Sequence, residues 1–90
     1  MFLVVSYDIA DDKRRTRVAK KLKDFGVRVQ YSVFECILEQ EKIEEMKKVI
    51  SPLLTEEDSV RVYYLCESCK KKIKSYGEKG VTEDPAVYII

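Results

Sequence analysis

Tyr7-Asp8-Ile9 follows the first apolar run of the chain, Phe2-Leu3-Val4-Val5. An aspartate at the carboxyl edge of a strand is held by rigid backbone and points toward a crevice. One carboxylate makes a sparse metal site, yet magnesium takes only one or two, with water and substrate phosphate completing its shell. If two copies of Asp8 met across a two-fold axis, the pair would bind one ion and activate its water. The competing role for Asp8 is a helix cap, and Asp11 and Asp12 are better placed for that. A second stretch, Arg28-Val29-Gln30-Tyr31-Ser32-Val33-Phe34-Glu35, alternates so that either Val33 or Phe34 faces outward. An outward Phe34 flanked by Arg28 and Gln30 suits a nucleic-acid base or a protein surface, and an inward one is core filler.

Composition narrows the chemistry. There is no histidine, which removes Ser-His and Cys-His nucleophile pairs, the imidazole base and every His-containing zinc site. Catalysis must then rest on carboxylate, lysine, tyrosine or cysteine, most simply with a borrowed metal ion. The three cysteines are Cys36, Cys66 and Cys69, an odd number that predicts reduced thiols. Cys66-x-x-Cys69 has the spacing of half a zinc site or of a redox pair. A structural zinc wants four ligands, however, so the plainer reading is small, semi-buried side chains at a strand end.

The elements that must position these residues follow from patterning. Ninety residues, 46% hydrophobic and 37% charged, predict one globular domain. No apolar run exceeds five residues, far short of the ~20 residues of a membrane span, and no basic segment precedes Phe2–Val5. A cytoplasmic protein without membrane contact is expected. Phe2–Tyr7 reads as a central strand. A helix follows, with Val18, Leu22 and Phe25 on one stripe and Gly26 in the place of a left-handed cap. Val27–Leu38 is long for one strand, which predicts a sharp hairpin near Tyr31-Ser32, with Phe34, Cys36 and Leu38 sharing a face. A second helix spans about Glu41 to Ile50, with Ile43, Met46 and Ile50 inward, and Pro52 marks its end. Ser59–Leu65 is another strand, with Val60, Val62 and Tyr64 on one face. Ser75-Tyr76-Gly77 suits a short edge strand, and Ala86–Ile90 a final apolar one.

The order β-α-β-β-α-β predicts an α+β ferredoxin-like sandwich over residues 1–77, both helices on one face of a four-stranded antiparallel sheet. Residues 78–90 form an extension whose strand, 86–90, is surplus to that sheet. Pairing it with a second subunit at a homodimer interface would avoid a bare apolar edge.

Net charge is +1, which by itself gives no argument for nucleic acid. Its distribution does. Residues 11–28 hold eight basic against three acidic side chains, residues 35–58 eight acidic against three basic, and residues 61–79 six basic against two acidic. A basic first helix is either a solvated face or a phosphate-binding surface doubled by dimer symmetry.

Four segments, taken together, carry a resemblance. They are Tyr7-Asp8-Ile9, the helix start Asp11-Asp12-Lys13-Arg14-Arg15-Thr16-Arg17-Val18-Ala19, Gly26-x-Arg28-Val29-Gln30-x-Ser32-Val33-Phe34-Glu35, and Asp58-Ser59-Val60-Arg61-Val62-Tyr63. In order and nearly in spacing, the chain resembles the small CRISPR-associated endoribonuclease family, the adaptor subunit of the spacer-acquisition complex. The resemblance implies a ferredoxin-like homodimer in which Asp8 and its symmetry mate face each other across a cleft and share one Mg²⁺. It implies nuclease chemistry on single-stranded RNA or double-stranded DNA. It also implies an adaptor role, the dimer bridging two dimers of the CRISPR integrase on prespacer DNA. By motif position it places Tyr7, Arg15, Arg17, Arg28 and Phe34 beside the site or on nucleic acid, and Ser32 at a structural bend. The alternative is a toxin-like endoribonuclease, since virulence-associated D-type toxins resemble this family in fold and in the early aspartate. A ferredoxin-like regulatory domain without activity would give no reason for the basic first helix.

Overall fold

Strand alternation decides which side of the sheet each residue serves. In the computed structural model, which describes residues 1–77, β1 spans Phe2–Asp8. Its Leu3, Val5 and Tyr7 enter the core, so Val4, Ser6 and Asp8 alternate onto the opposite face. Helix α1 spans Asp12–Leu22. Asp11 caps it, its Oδ2 accepting from the Arg14 N–H at 2.9 Å, as expected for the carboxylate nearest the first turn. Val18, Ala19 and Leu22 form its buried stripe.

Gly26 is not the left-handed cap that the sequence suggests. Among the described residues only Gly77 has a positive φ. The helix ends at Lys23 in right-handed geometry. What Gly26 provides is space: a Cβ there would lie 2.4 Å from both Cys36 Sγ and the Glu35 carbonyl oxygen. Only a residue without a side chain lets the chain enter its next strand so close to the strand beside it.

That pair is β2, Val27–Gln30, and β3, Val33–Ile37, joined at Tyr31-Ser32 as predicted. Helix α2 covers Gln40–Ile50 and buries Ile43, Met46 and Ile50. Pro52 does not stop helical geometry at Ser51, which keeps φ −52° and ψ −44°. The chain instead tightens into a 3-10 turn over Ser51–Leu53, where a proline in the first turn forfeits no hydrogen bond. Strand β4 is Ser59–Leu65. A short helix, α3, Glu67–Lys71, was not expected from the sequence. Ser75-Tyr76-Gly77 lies in no strand, and the predicted strand 86–90 falls outside the described residues.

The sheet order is β2-β3-β1-β4 with every pair antiparallel, the ferredoxin-like arrangement. The core lies between one sheet face and helices α1 and α2. The other face follows from register. Val4 sits between Glu35 and Tyr63, Ser6 between Val33 and Arg61, and Phe2 between Ile37 and Leu65. Helix α3 packs on β4 and brings Lys70 Nζ within 5.3 Å of the Phe2 ring centroid. Val4, Val33 and Ile37 on this largely apolar face are half-buried, and Tyr63 is exposed.

Candidate nucleic-acid interface

Asp8 ends β1 opposite Ser59, the first residue of β4. It is exposed, and its carboxylate has no partner among the described residues. Those residues contain no group of three or more His, Cys, Asp or Glu able to hold a metal. Among the described residues, Asp8 thus stands without the further carboxylates that a metal ion would need.

The position of Asp8 is set from behind. The Asp58 side chain is fully buried and accepts from the Thr55 N–H at 2.9 Å and the Thr55 hydroxyl at 3.2 Å. Arg14 closes a bidentate pair with it, Nε donating at 2.9 Å and Nη2 at 3.1 Å. This fork pins the first turn of α1 to the loop that launches β4, one residue before the Asp8–Ser59 pair. Nothing in the sequence announces a contact between residues 44 positions apart. The Arg14 guanidinium, and after it the Thr55 N–H, holds the Asp58 carboxyl below the usual carboxylate range. A carboxyl with a lower pKa folded than unfolded stabilises the fold above about pH 4, and that contribution fades as pH falls through the folded value. Asp58→Asn is therefore expected to melt below the parent at pH 7 and to lose less stability on acidification. Thermal melts between pH 7 and pH 3 check this; parallel curves for the two proteins would show that another group carries the linkage.

Arg15 braces the turn between β1 and α1. Its Nη1 donates to the carbonyls of Ile9 at 3.0 Å and Ala10 at 3.2 Å, and its Nη2 pairs with Asp12. Asp12 foremost, and the Tyr31 hydroxyl with it, keep this guanidinium more firmly protonated than usual. Arg17 is exposed beside Lys13 and Thr16 and has no ion-pair partner among the described residues.

Tyr7, Arg28 and Phe34 come together on the helix side of the sheet. The Tyr7 hydroxyl donates to the Tyr31 carbonyl at 3.2 Å and accepts from Arg28 Nη2 at 3.2 Å. The Tyr7 N–H donates to the Ser32 carbonyl at 3.1 Å, which fixes Ser32 at the bend. Arg28 Cζ lies 5.5 Å from the Phe34 ring centroid and 5.9 Å from that of Tyr31. Phe34 itself is 0% exposed. Its reading as an outward aromatic for a nucleic-acid base is thus corrected: it is a core residue that supports Arg28 from below. The exposed ring of this hairpin is Tyr31, at 75%, which sequence reasoning passed over. Its place in the turn between two strands, where side chains leave the sheet, was the available signal.

A family model for CRISPR associated protein Cas2 matches residues 1–73. The chain belongs to the Cas2 family. A relative from Chloroflexus aurantiacus, CRISPR-associated endoribonuclease Cas2 3, is 45% identical over 94 residues, spanning all of this chain and 98% of its own. The crystal structure of Streptococcus pyogenes Cas2 at pH 6.5 is 32% identical with a TM-score of 0.75, covering 86% of this chain and 100% of that one. A chain of a partial Cas6-RT-Cas1–Cas2 complex is 28% identical with a TM-score of 0.66, covering 82% and 88% respectively.

Within this Cas2 fold the cysteines divide. Cys36 is buried in β3, and burial, with Glu35 nearby, pushes its thiol up to about 11. Cys66 and Cys69 are exposed at the first turn of α3, not semi-buried as the sequence suggests. Ser68 Oγ lies 3.2 Å from Cys66 Sγ. That hydrogen bond, more than those from Cys69, lowers Cys66 to about 7. Among the described residues no helix is long and apolar enough to cross a membrane.

Proposed function

We propose that two copies of this Cas2-family chain hold prespacer DNA for the CRISPR integrase during spacer acquisition, with magnesium-dependent phosphodiester cleavage at Asp8. The observation that carries this reading is the Asp8 carboxylate, exposed and without a partner among the described residues, at the rim of a largely apolar sheet face. A second copy packed on that face buries Val4, Val33 and Ile37 and brings two Asp8 carboxylates to one axis. Family membership favours the adaptation protein over a D-type toxin. The structural likeness to a chain of a Cas1-containing complex supports an integrase partner.

The donor set fits magnesium. Asp8 offers one free carboxylate per chain, so a dimer supplies two, the number this ion takes from protein. An ion shared by the two Asp8 side chains would supply Lewis-acid chemistry at a scissile phosphate of double-stranded DNA or single-stranded RNA. The chain's own residues do the placing. The Arg14–Asp58 fork and the Arg15 brace fix the turns on either side of Asp8. Arg15 is committed to two carbonyls and Asp12, so Arg17 is the freer arginine for backbone phosphate, which a guanidinium fork meets bidentately.

Arg17→Ala is therefore expected to weaken duplex binding by a similar factor across unrelated sequences. The slope of log affinity against log salt should fall by about one for each phosphate that the variant leaves unneutralised. Fluorescence anisotropy over a salt series reads both. An unchanged affinity, or a loss confined to one sequence, would remove Arg17 from the phosphate backbone.

A further inference from the structure

Between α1 and the β2–β3 hairpin lies a cleft of about 340 Å³, on the helix side of the sheet and away from the face that carries Asp8. Such a volume is at the lower end of the range, about 300–1,000 Å³, typical of clefts for small ligands. Arg15, Lys20, Lys23 and Arg28 line it, and no carboxylate does. Lys20 and Lys23 have no ion-pair partner among the described residues. Cations gathered on one concave surface repel one another until an anion enters. Two features make this more than a solvated helix face. Arg28 is fixed, its edge donating to the Tyr7 hydroxyl and its plane near the Phe34 and Tyr31 rings. Tyr31, largely exposed, also lines the cleft, so it offers exposed ring surface next to the cations. A bare phosphate would leave that ring unused, and a paired base has no face free to stack on it. An anion joined to an unpaired aromatic base uses both.

We infer that this cleft binds a single unpaired nucleotide, its phosphate at Lys20 and Lys23 and its base stacked on Tyr31. The inference deepens the nucleic-acid reading and rests on it for biological context, but the binding itself does not depend on Asp8 or on duplex binding. The ligand is either a free nucleotide or the unpaired end of a strand.

Calorimetry on the intact protein with adenosine 5′-monophosphate and with ribose 5-phosphate is the test. The mononucleotide is expected to bind about 5- to 150-fold more tightly, the range one stacked base supplies on an aromatic ring. Tyr31→Ala should erase that advantage and leave blunt-duplex affinity unchanged. The double variant Lys20→Ala/Lys23→Ala should weaken both ligands. A duplex with a 5′ single-stranded tail binding more tightly than a blunt one, in a Tyr31-dependent way, assigns the site to strand ends. Mononucleotide binding without that gain assigns it to free nucleotides. Equal affinity for the two small ligands, or loss of blunt-duplex binding in Tyr31→Ala, would overturn the inference. Failure of the parent protein to bind blunt duplex would instead count against the function proposed above, and the mononucleotide titration would still decide this site.

Discussion

Asp8→Asn is expected to leave the fold intact and to abolish the proposed magnesium-dependent cleavage. The side chain is exposed and has no partner among the described residues, so its replacement disturbs no packing and breaks no hydrogen bond there. Its charge is what matters. A site with one carboxylate per chain cannot exchange it for a neutral amide and still hold a divalent ion. Because a bound metal contributes several kcal/mol to the transition state, cleavage should fall by about 100-fold or more, to background. Single-turnover assays on single-stranded RNA and double-stranded DNA, with the ion titrated, measure it. Duplex binding should persist, since two negative charges leave the site. Cleavage by the purified variant at the parent rate would place the activity elsewhere.

Val4→Asp is expected to abolish the proposed dimer. Val4 lies on the inner strand β1, on the face opposite the helices, with Glu35 and Tyr63 beside it. In a face-to-face dimer the new carboxylate would be desolvated next to an existing one. Burying an unpaired charge costs several kcal/mol, and two-fold symmetry imposes it twice. The core side of the sheet is untouched, so thermal stability of the chain itself should change far less than association. Light scattering at low micromolar concentration should report a monomer, and duplex bridging should disappear alongside. A dimer that survives would show that association runs through another surface, the segment 78–90 included.

Much of this fold was legible because its elements obey simple periodicities. The alternation in Val33–Leu38 placed Phe34 and Cys36 on one face, and the spacing of Ile43, Met46 and Ile50 oriented α2. The sequence offered Asp11 and Asp12 as caps of α1, and the structure uses Asp11. Errors came where long-range contact overrides local preference. Gly26 read as a left-handed cap, but steric pressure from Cys36 and Glu35, sequentially remote and spatially adjacent, explains it. Pro52 read as a helix stop, yet the chain continues into a 3-10 turn.

The site was legible in residue type more than in role. Tyr7, Arg15 and Arg28 do converge, but on the helix side, while Asp8 belongs to the opposite face. Adjacent residues of a strand point to opposite sides, so Tyr7 and Asp8 cannot serve one surface. Arg15 proved to be a brace and Phe34 a buried support, because backbone carbonyls and an aromatic core claimed them. The Arg14–Asp58 fork and the exposed Tyr31 had no sequence signal strong enough to single them out.

The most direct test of the adaptor role is size-exclusion chromatography with in-line light scattering on this protein, the Cas1 integrase subunit and a forked duplex. One species is predicted, its mass accounting for a dimer of this chain bridging two integrase dimers on a single duplex. Elution of this chain apart from the integrase, with and without DNA, would contradict the account.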